Sequence, residues 1–249
     1  MTIEITQIEG PDDHKFDQAI RIYTSNLAPY LRQPPRVLRG ILTKVASGTY
    51  GDQKYHMFLA KKDGEPAGMM TCNYFPDVNV GFAGYLVVAK AYRGQGVGTA
   101  LYRNGCSAIN SDARVRTGKQ ADALVYETDK LNVQDVKEME EGVKRLNFFK
   151  AMGGYIMSGV DYYQPPLHKK DPPTGLYLMV HPFSQSLLSD LKPDWAGAVI
   201  RSIFQHVYRI ETPLTESETE RHLSKIVSSI QPASLRLIEV DVEFPPKTS

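Results

Sequence analysis

The chain has few cysteines. Only two, Cys72 and Cys106, occur in its 249 residues, and they form no C-x-x-C pair, so the sequence offers no disulfide framework. Cys106 lies near the apolar face of a predicted helix, where we expect a small core residue rather than a nucleophile. We therefore expect a fold that is held together by its hydrophobic core and that carries no metal site.

The chain also lacks an excess of charge and a long apolar run. Lys and Arg total 29 against 28 for Asp and Glu, which gives little reason to expect a nucleic-acid partner. No apolar run approaches the length of a membrane span, and the first ten residues, MTIEITQIEG, lack the pattern of a signal peptide. We expect a cytoplasmic protein without a nucleic-acid or membrane partner.

The most informative stretch is a strand, a glycine-rich loop and a helix in succession. The apolar residues 85–88 precede a loop that reads Arg93-Gly94-Gln95-Gly96-Val97-Gly98. Glycines let the backbone come close to a ligand. The first N–H groups of a helix have no intrahelical partner and lie at the positive end of the helix dipole. This stretch therefore predicts a site for a phosphate or pyrophosphate group.

Three glycine-loop patterns compete for this site. A P-loop needs a lysine and a Ser or Thr after its glycines, but Gly98 is followed by Thr99 with no lysine. A dinucleotide-binding fold needs G-x-G-x-x-G near the start of its unit, whereas the spacing here is G-x-G-x-G after several predicted elements. Residues 93–98 match the third pattern, Q/R-x-x-G-x-G/A, at every fixed position. An ordinary turn that happens to hold three glycines is the remaining alternative.

At this loop the chain resembles the GCN5-related N-acetyltransferase (GNAT) superfamily. Residues 121–127 (ADALVYE) are typical of the next strand, and residues 143–155 (VKRLNFFKAMGGY) look like the family's fourth helix and sixth strand. The resemblance implies that acetyl-CoA is the co-substrate, with its pyrophosphate on the backbone amides of residues 94–99. The residues implied to bind it are Val87, Val88, Arg93, Gly94, Gln95, Gly96, Val97, Gly98, Thr99 and Phe149.

The resemblance covers roughly residues 1–182, and the fold class we predict is α/β (α+β). We expect a mixed, mostly antiparallel central sheet flanked by helices, which is the acyl-CoA N-acyltransferase fold. Four prolines make residues 164–175 a predicted loop. In the family the loop between the last two strands borders the acceptor site, although a plain hairpin loop is an equal alternative here.

Residues 183–249 extend beyond the family core. We expect two helices, the second opened by the capping box Thr215-x-x-Glu218, and a final strand over residues 234–243. This extension packs on the same domain or at an oligomer interface. It covers the sheet edge, forms a homodimer surface or walls the acceptor pocket, and the sequence does not choose among these.

Acetyl transfer to an amine makes three physical demands. The thioester must be held, its carbonyl oxygen must be stabilised as negative charge develops, and the amine must be delivered neutral. The resemblance implies that a backbone N–H of Val88 or Val87 meets the second demand. For the third, Glu127 at the end of a predicted strand is the candidate general base, and Asp129 is a weaker second.

One departure from the family pattern concerns the leaving thiolate. Many members protonate it with a tyrosine on the fourth helix, and the matching position here is Phe149. Either another tyrosine serves or the thiolate leaves unassisted, since a thiol pKa near 8.5 makes it a tolerable leaving group. The candidate tyrosines are Tyr162, which we carry forward, and then Tyr163, Tyr126 and Tyr85.

The function we expect is acetyl-CoA-dependent N-acetylation of a primary amine on a small molecule, by direct attack in a ternary complex. An acetyltransferase for a protein or peptide amine, at a lysine or an N-terminus, is the alternative among enzymes. A non-catalytic CoA-binding sensing module is the alternative from another class.

Overall fold

The computed structural model describes residues 2–131, 134–168 and 171–241, and these residues are built around one mixed β-sheet. The strands run in the order β1-β2-β3-β4-β5-β8-β6-β9, and β7 pairs with β8 outside that path. The β4–β5 pair is parallel, and the other described pairs are antiparallel. The strand bounds are β1 Ile3–Gln7, β2 Lys54–Lys62, β3 Glu65–Phe75, β4 Val80–Val88, β5 Ala123–Asp129, β6 Tyr155–Ser158, β7 Tyr163–Gln164, β8 Thr174–Pro182 and β9 Arg236–Ile238.

Helices cover both faces of this sheet, as the sequence predicts. Their bounds are α1 His14–Asn26, α2 Pro35–Ala46, α3 Val97–Thr117, α4 Val136–Ala151, α5 Gln185–Ser189, α6 Pro193–Ile203, α7 Arg209–Glu211 and α8 Glu216–Ser228. Asp13 caps α1 by accepting from the backbone N–H of Lys15. The capping box predicted at Thr215 and Glu218 is present at the start of α8. The predicted fold class is confirmed.

The two faces of the sheet carry different helices because side chains alternate along each strand. In β4, Val88 packs in the cluster that holds α3 and α4, whereas Val87 packs with α1 and α2. In β5, Leu124 belongs to the α3 and α4 side, and Val125 faces a third cluster built with α6 and α8. One face therefore carries α3 and α4, and the opposite face is shared by α1 and α2 with the C-terminal extension.

The extension is continuous with the core. Ile200, Ile203 and Phe204 are at most 1% exposed and pack in one cluster with residues of β5 and β8. Its strand β9 pairs with β6 and so covers that edge of the sheet. Buried Ser202 donates to Asp77 at 2.6 Å, which fastens α6 to the turn between β3 and β4.

Two boundaries differ from the sequence prediction. The strand expected within residues 234–243 is shorter, Arg236–Ile238, and residues 242–243 lie outside the described residues. The loop expected over residues 164–175 is trimmed at both ends, because Gln164 closes β7 and Thr174 opens β8, where they pair with each other. Residues 169–170 of that loop also lie outside the described residues.

Candidate active site

The sheet opens between β4 and β5. Their pairing begins at Val80 and Ala123 and ends at Ala83 and Tyr126, although both strands continue further. The β3–β4 register shifts at this point, since Thr71 pairs with Tyr85 while the next residue pairs with Ala83. A bulge of this kind bends a strand and increases its twist. The last residues of β4 and of β5 therefore diverge and leave a gap in the sheet.

The backbone N–H groups of β4 alternate between β3 and this gap. The N–H of Ala89 donates to Ala67 at 2.9 Å and the N–H of Tyr85 donates to the Thr71 hydroxyl at 3.0 Å, both towards β3. Because neighbouring residues of a strand direct their N–H groups to opposite edges, the N–H of Val87 also faces β3 and the N–H of Val88 faces the gap. Of the two candidates, the geometry favours Val88.

The glycine-rich loop has the backbone that an anion site needs. Gly94 and Gly96 adopt φ values of 72° and 84°, in the left-handed region that favours glycine. The first bond of α3 is donated by Ala100 to the Gly96 carbonyl, so the N–H groups of residues 97–99 lack α-helical acceptors. Arg93 through Gly96 are exposed, whereas the Val97 side chain is buried. A ligand therefore meets main chain here, and these residues fit a pyrophosphate.

A buried lysine braces the same loop. Lys62, at the end of β2, is 6% exposed, and its ammonium donates to Oε1 of Gln95. The other end of the Gln95 side chain donates to the carbonyl of Ala91 at 2.7 Å. Both ends of the side chain are thus fixed, and a positive charge lies behind the loop. No sequence pattern marks Lys62, because in the sequence the residue looks like a lysine exposed to solvent.

Aromatic rings on α4 lie beside the gap. A Cβ atom at Gly98 would lie 3.6 Å from the Phe148 ring and 3.5 Å from the Val88 side chain. Phe149 instead is buried against Tyr126, with ring centroids 4.3 Å apart. The structure therefore brings Phe148, Gly98 and Val88 together, while the predicted contact of Phe149 with the co-substrate stays a prediction.

Glu127 is the first residue of β5 beyond the part of the strand that pairs with β4. It lies on the face of Val125, opposite α3 and α4. Tyr162 donates to its Oε1, and Tyr208 donates to the same oxygen at 2.5 Å. Both tyrosines are buried, at 1% and 2% exposure, while Glu127 is partly exposed.

Burial controls the chemistry of this carboxylate. Desolvation raises the pKa of Glu127 to about 7, and the hydrogen bonds from the two tyrosines offset part of that rise. Burial and the neighbouring Glu127 charge raise the pKa of both Tyr162 and Tyr208 well above the ordinary tyrosine value. A carboxyl group that titrates near neutral pH has the strength that a general base needs.

Other residues that the sequence suggested as base or proton donor contact groups other than Glu127. Asp129 accepts from Arg145 at 2.9 Å, and the Tyr163 hydroxyl contacts His222. The Tyr85 hydroxyl accepts from the backbone N–H of Gln33 at 3.1 Å. Tyr208 was absent from the candidates, since it lies 81 residues from Glu127 in the chain and no local pattern connects them.

The described residues provide neither a metal centre nor a reactive thiol. They contain no group of three or more His, Cys, Asp or Glu side chains placed to hold a metal ion. Burial raises the pKa of the Cys106 thiol to about 12, so it is a poor nucleophile. No helix in the described ranges is both long enough and apolar enough to cross a membrane.

The glycine loop and the helix that follows it are features that the resemblance to acyl-CoA-dependent acetyltransferases predicts. Residues 17–114, from α1 into α3, match the model of the Acetyltransferase (GNAT) family. The match covers less than half of the chain, which is similar to that family over these residues. No curated protein matches this chain.

Solved structures share the fold at low sequence identity. A Bacteroides thetaiotaomicron protein assigned to the GNAT family is 20% identical, with a TM-score of 0.58 over 82% of this chain and 99% of that one. A chain of the NatC complex, solved with Gag peptide and CoA, is 16% identical, with a TM-score of 0.51 over 74% and 100%. Ard1 from Thermoplasma volcanium is 14% identical, with a TM-score of 0.50 over 74% and 100%.

Proposed function

We propose that this chain acetylates a primary amine of a small molecule by direct attack on acetyl-CoA. The observation that carries the proposal is the Glu127 carboxylate, which lies at the opened strand pair with a pKa near 7. The donor loop and α3 lie on one face of the sheet, and Glu127 lies on the other. An amine that approaches from the Glu127 face would therefore meet the thioester through the gap.

The covered face favours a small acceptor. The C-terminal extension packs on this face, and His168 contacts the carbonyl of Pro29 at 3.2 Å. That contact connects the loop before β8 with the segment between α1 and α2, whose Gln33 lies against β4. The loop before β8 and the segment between α1 and α2 thus contact each other, and we infer that this contact restricts the room for a folded protein acceptor.

Bound acetyl-CoA supplies an activated acetyl carbonyl on a thiolate leaving group. We propose that the amides of Gly94 to Thr99 hold its pyrophosphate. The Val88 N–H donates to the carbonyl oxygen as negative charge develops there. Glu127 accepts the proton that the amine nitrogen loses as its bond to the acetyl carbon forms and the carbon–sulfur bond breaks.

Tyr162 is the proposed donor to the leaving sulfur. It would give its proton to the thiolate. The neutral Glu127 carboxyl, no longer held by its charge, would then turn to return a proton to Tyr162, which restores the carboxylate. A tyrosine with a raised pKa is a weak acid alone. The net donor is therefore the Glu127 carboxyl, whose pKa near 7 lies below the ordinary thiol value of about 8.5.

Thiol release tests the proposal. Purified protein with acetyl-CoA is assayed against polyamines, amino acids, aminoglycosides and peptides with a free lysine or N-terminus. We expect release with one small-amine class and an acid limb in the pH profile of kcat/KM near pH 7. Glu127→Gln should lower kcat by about 100-fold or more and remove that limb. Release with peptides alone would overturn the small-molecule assignment.

A further inference from the structure

We propose that Tyr208, supplied by the C-terminal extension, is a positioning residue that orients Glu127 for proton transfer. This inference rests on the proposed role of Glu127 as the base. Tyr208 and Tyr162 both donate to Oε1 of the carboxylate. Among the described residues no donor contacts Oε2. The two hydroxyls therefore fix the rotation of the carboxylate and leave Oε2 to receive the proton of the amine.

An irregular helical turn places the Tyr208 hydroxyl. Residues 204–208 form a π-turn between α6 and α7, in which the N–H of Arg209 donates to the carbonyl of Phe204. Such a turn inserts one extra residue into the helix and changes the direction of the side chains that follow, and these turns are frequent at functional sites. The ring of Phe204 packs edge-on against Tyr208, with centroids 5.0 Å apart.

Gln164 in β7 lies near the same hydroxyl. Its side chain favours the ionised form and so offsets part of the rise in the Tyr208 pKa. The Tyr208 ring is 2% exposed and packs in the extension's core cluster. Because ring and hydroxyl are both fixed, the direction in which Tyr208 donates is set before any substrate arrives, which is the requirement for preorganised catalysis.

The groups that face Glu127 are few. Tyr162 approaches from the segment before β7, Tyr208 approaches from the extension, and Leu178 is the residue paired with Glu127 in β8. Among the described residues no charged side chain perturbs the carboxyl. Desolvation raises its proton affinity. The two hydroxyls lower it, because each stabilises the ionised form.

The test is Tyr208→Phe, which removes one hydroxyl and keeps the buried ring. We expect the acid limb of kcat/KM to move up by about one pH unit, the shift expected for loss of one charge-assisted hydrogen bond. At pH 7 we expect kcat to fall roughly tenfold, with KM for acetyl-CoA unchanged. NMR of protein labelled with 13C at the glutamate carboxyls should show the same upward shift for Glu127 without any substrate.

Tyr163→Phe is the matched control. It removes a neighbouring buried hydroxyl that contacts His222 and does not contact Glu127. It should leave both the pH profile and the carboxyl titration unchanged. If Tyr208→Phe also leaves both unchanged while Glu127→Gln is inactive, the positioning role is overturned and the base survives. Full activity in Glu127→Gln would instead overturn the base itself, whatever the titration of Glu127 shows.

Discussion

The Glu127 carboxylate is desolvated in the fold, although an ionised carboxylate is more stable in water. Its Oε1 receives two hydroxyl donors, yet desolvation outweighs them and its pKa rises to about 7. A raised carboxyl pKa means that the folded state binds a proton which the unfolded chain has already released. Stability is therefore lost as pH rises from about 4.5, the ordinary value, to about 7. The property that suits Glu127 to proton transfer also destabilises the fold at neutral pH.

The inactive variant Glu127→Gln should consequently be more stable than the wild type at pH values above about 7. The amide oxygen still accepts from both tyrosines, but no buried charge forms. We expect Tm to rise by about 3 °C at pH 8 and to change little at pH 4.5, as measured by differential scanning calorimetry. Glu4→Gln, on the exposed side of β1, is the control. A lower Tm for Glu127→Gln at pH 8 would contradict the destabilising effect assigned to the ionised Glu127 carboxylate.

At the residue scale, Lys62 also contributes a positive charge to the proposed acetyl-CoA site. Its buried ammonium contacts Gln95 within the glycine loop, so it adds positive charge where an anion is expected. Lys62→Met keeps the side-chain length and removes the charge. We expect acetyl-CoA to bind about fivefold more weakly by isothermal titration calorimetry, consistent with a contribution of about 1 kcal/mol. Lys61→Met, on the adjacent residue, should bind normally, and equal affinities in the two variants would exclude this role.

At the scale of elements, the loop and α3 form the proposed site of the acetyl-CoA pyrophosphate. Gly96 is the N-cap of α3, with a φ of 84° that a larger residue adopts only with strain. Gly96→Glu should weaken acetyl-CoA binding by about 100-fold or more, because a carboxylate would occupy and repel the pyrophosphate space.

Two controls separate charge from strain in that experiment. Gly96→Ala imposes the backbone strain without the charge, and we expect a much smaller loss of affinity. Gly40→Glu adds the same charge on exposed α2, where a side chain meets open space, and should bind as the wild type does. Wild-type affinity in Gly96→Glu would remove the loop from the proposed site.

The segment from α6 to α7 is a second structural unit with a different role. The hydrogen bond between Ser202 and Asp77 attaches it to the sheet. His206 lies 3.6 Å from the same carboxylate, so the turn between β3 and β4 holds the helix at two positions. Asp77→Ala and Ser202→Ala should each lower the free energy of unfolding by about 1 kcal/mol.

The double variant distinguishes a contact from two separate defects. In urea unfolding we expect a coupling of about 0.5–1 kcal/mol between the two substitutions. Tyr208 follows in the same helical segment and donates to Glu127. Each single variant should therefore also lower kcat. Additive free energies would show that the hydrogen bond does not anchor the extension.

At the scale of the whole molecule, the extension shares one core with the catalytic fold. The apolar residues of β5 and β8 on the extension's face are covered by α6 and α8. A chain that ends at Pro182 would expose them to water and lose β9 from the sheet edge. We expect residues 1–182 alone to show no cooperative thermal transition by circular dichroism. A native-like melt of that fragment would establish it as an independent domain.

The sequence by itself determined the order of elements and the backbone of the glycine loop, and both follow from local rules. Glycine at positions 94 and 96 permits positive φ in the loop, the helix after it supplies free N–H groups, and alternating apolar residues predict the strands. These depend on neighbouring residues, so the pattern of a short segment was sufficient to predict them.

Only the tertiary structure decided how the candidate base is held. The choice of Val88 over Val87 depends on the pairing of β4 with β3 past the bulge. The pKa of Glu127 depends on burial under the extension, and its second hydroxyl donor comes from 81 residues away. Desolvation and hydrogen bonding act between groups that meet only after folding, and the spacing of residues along the chain contains no record of those distances.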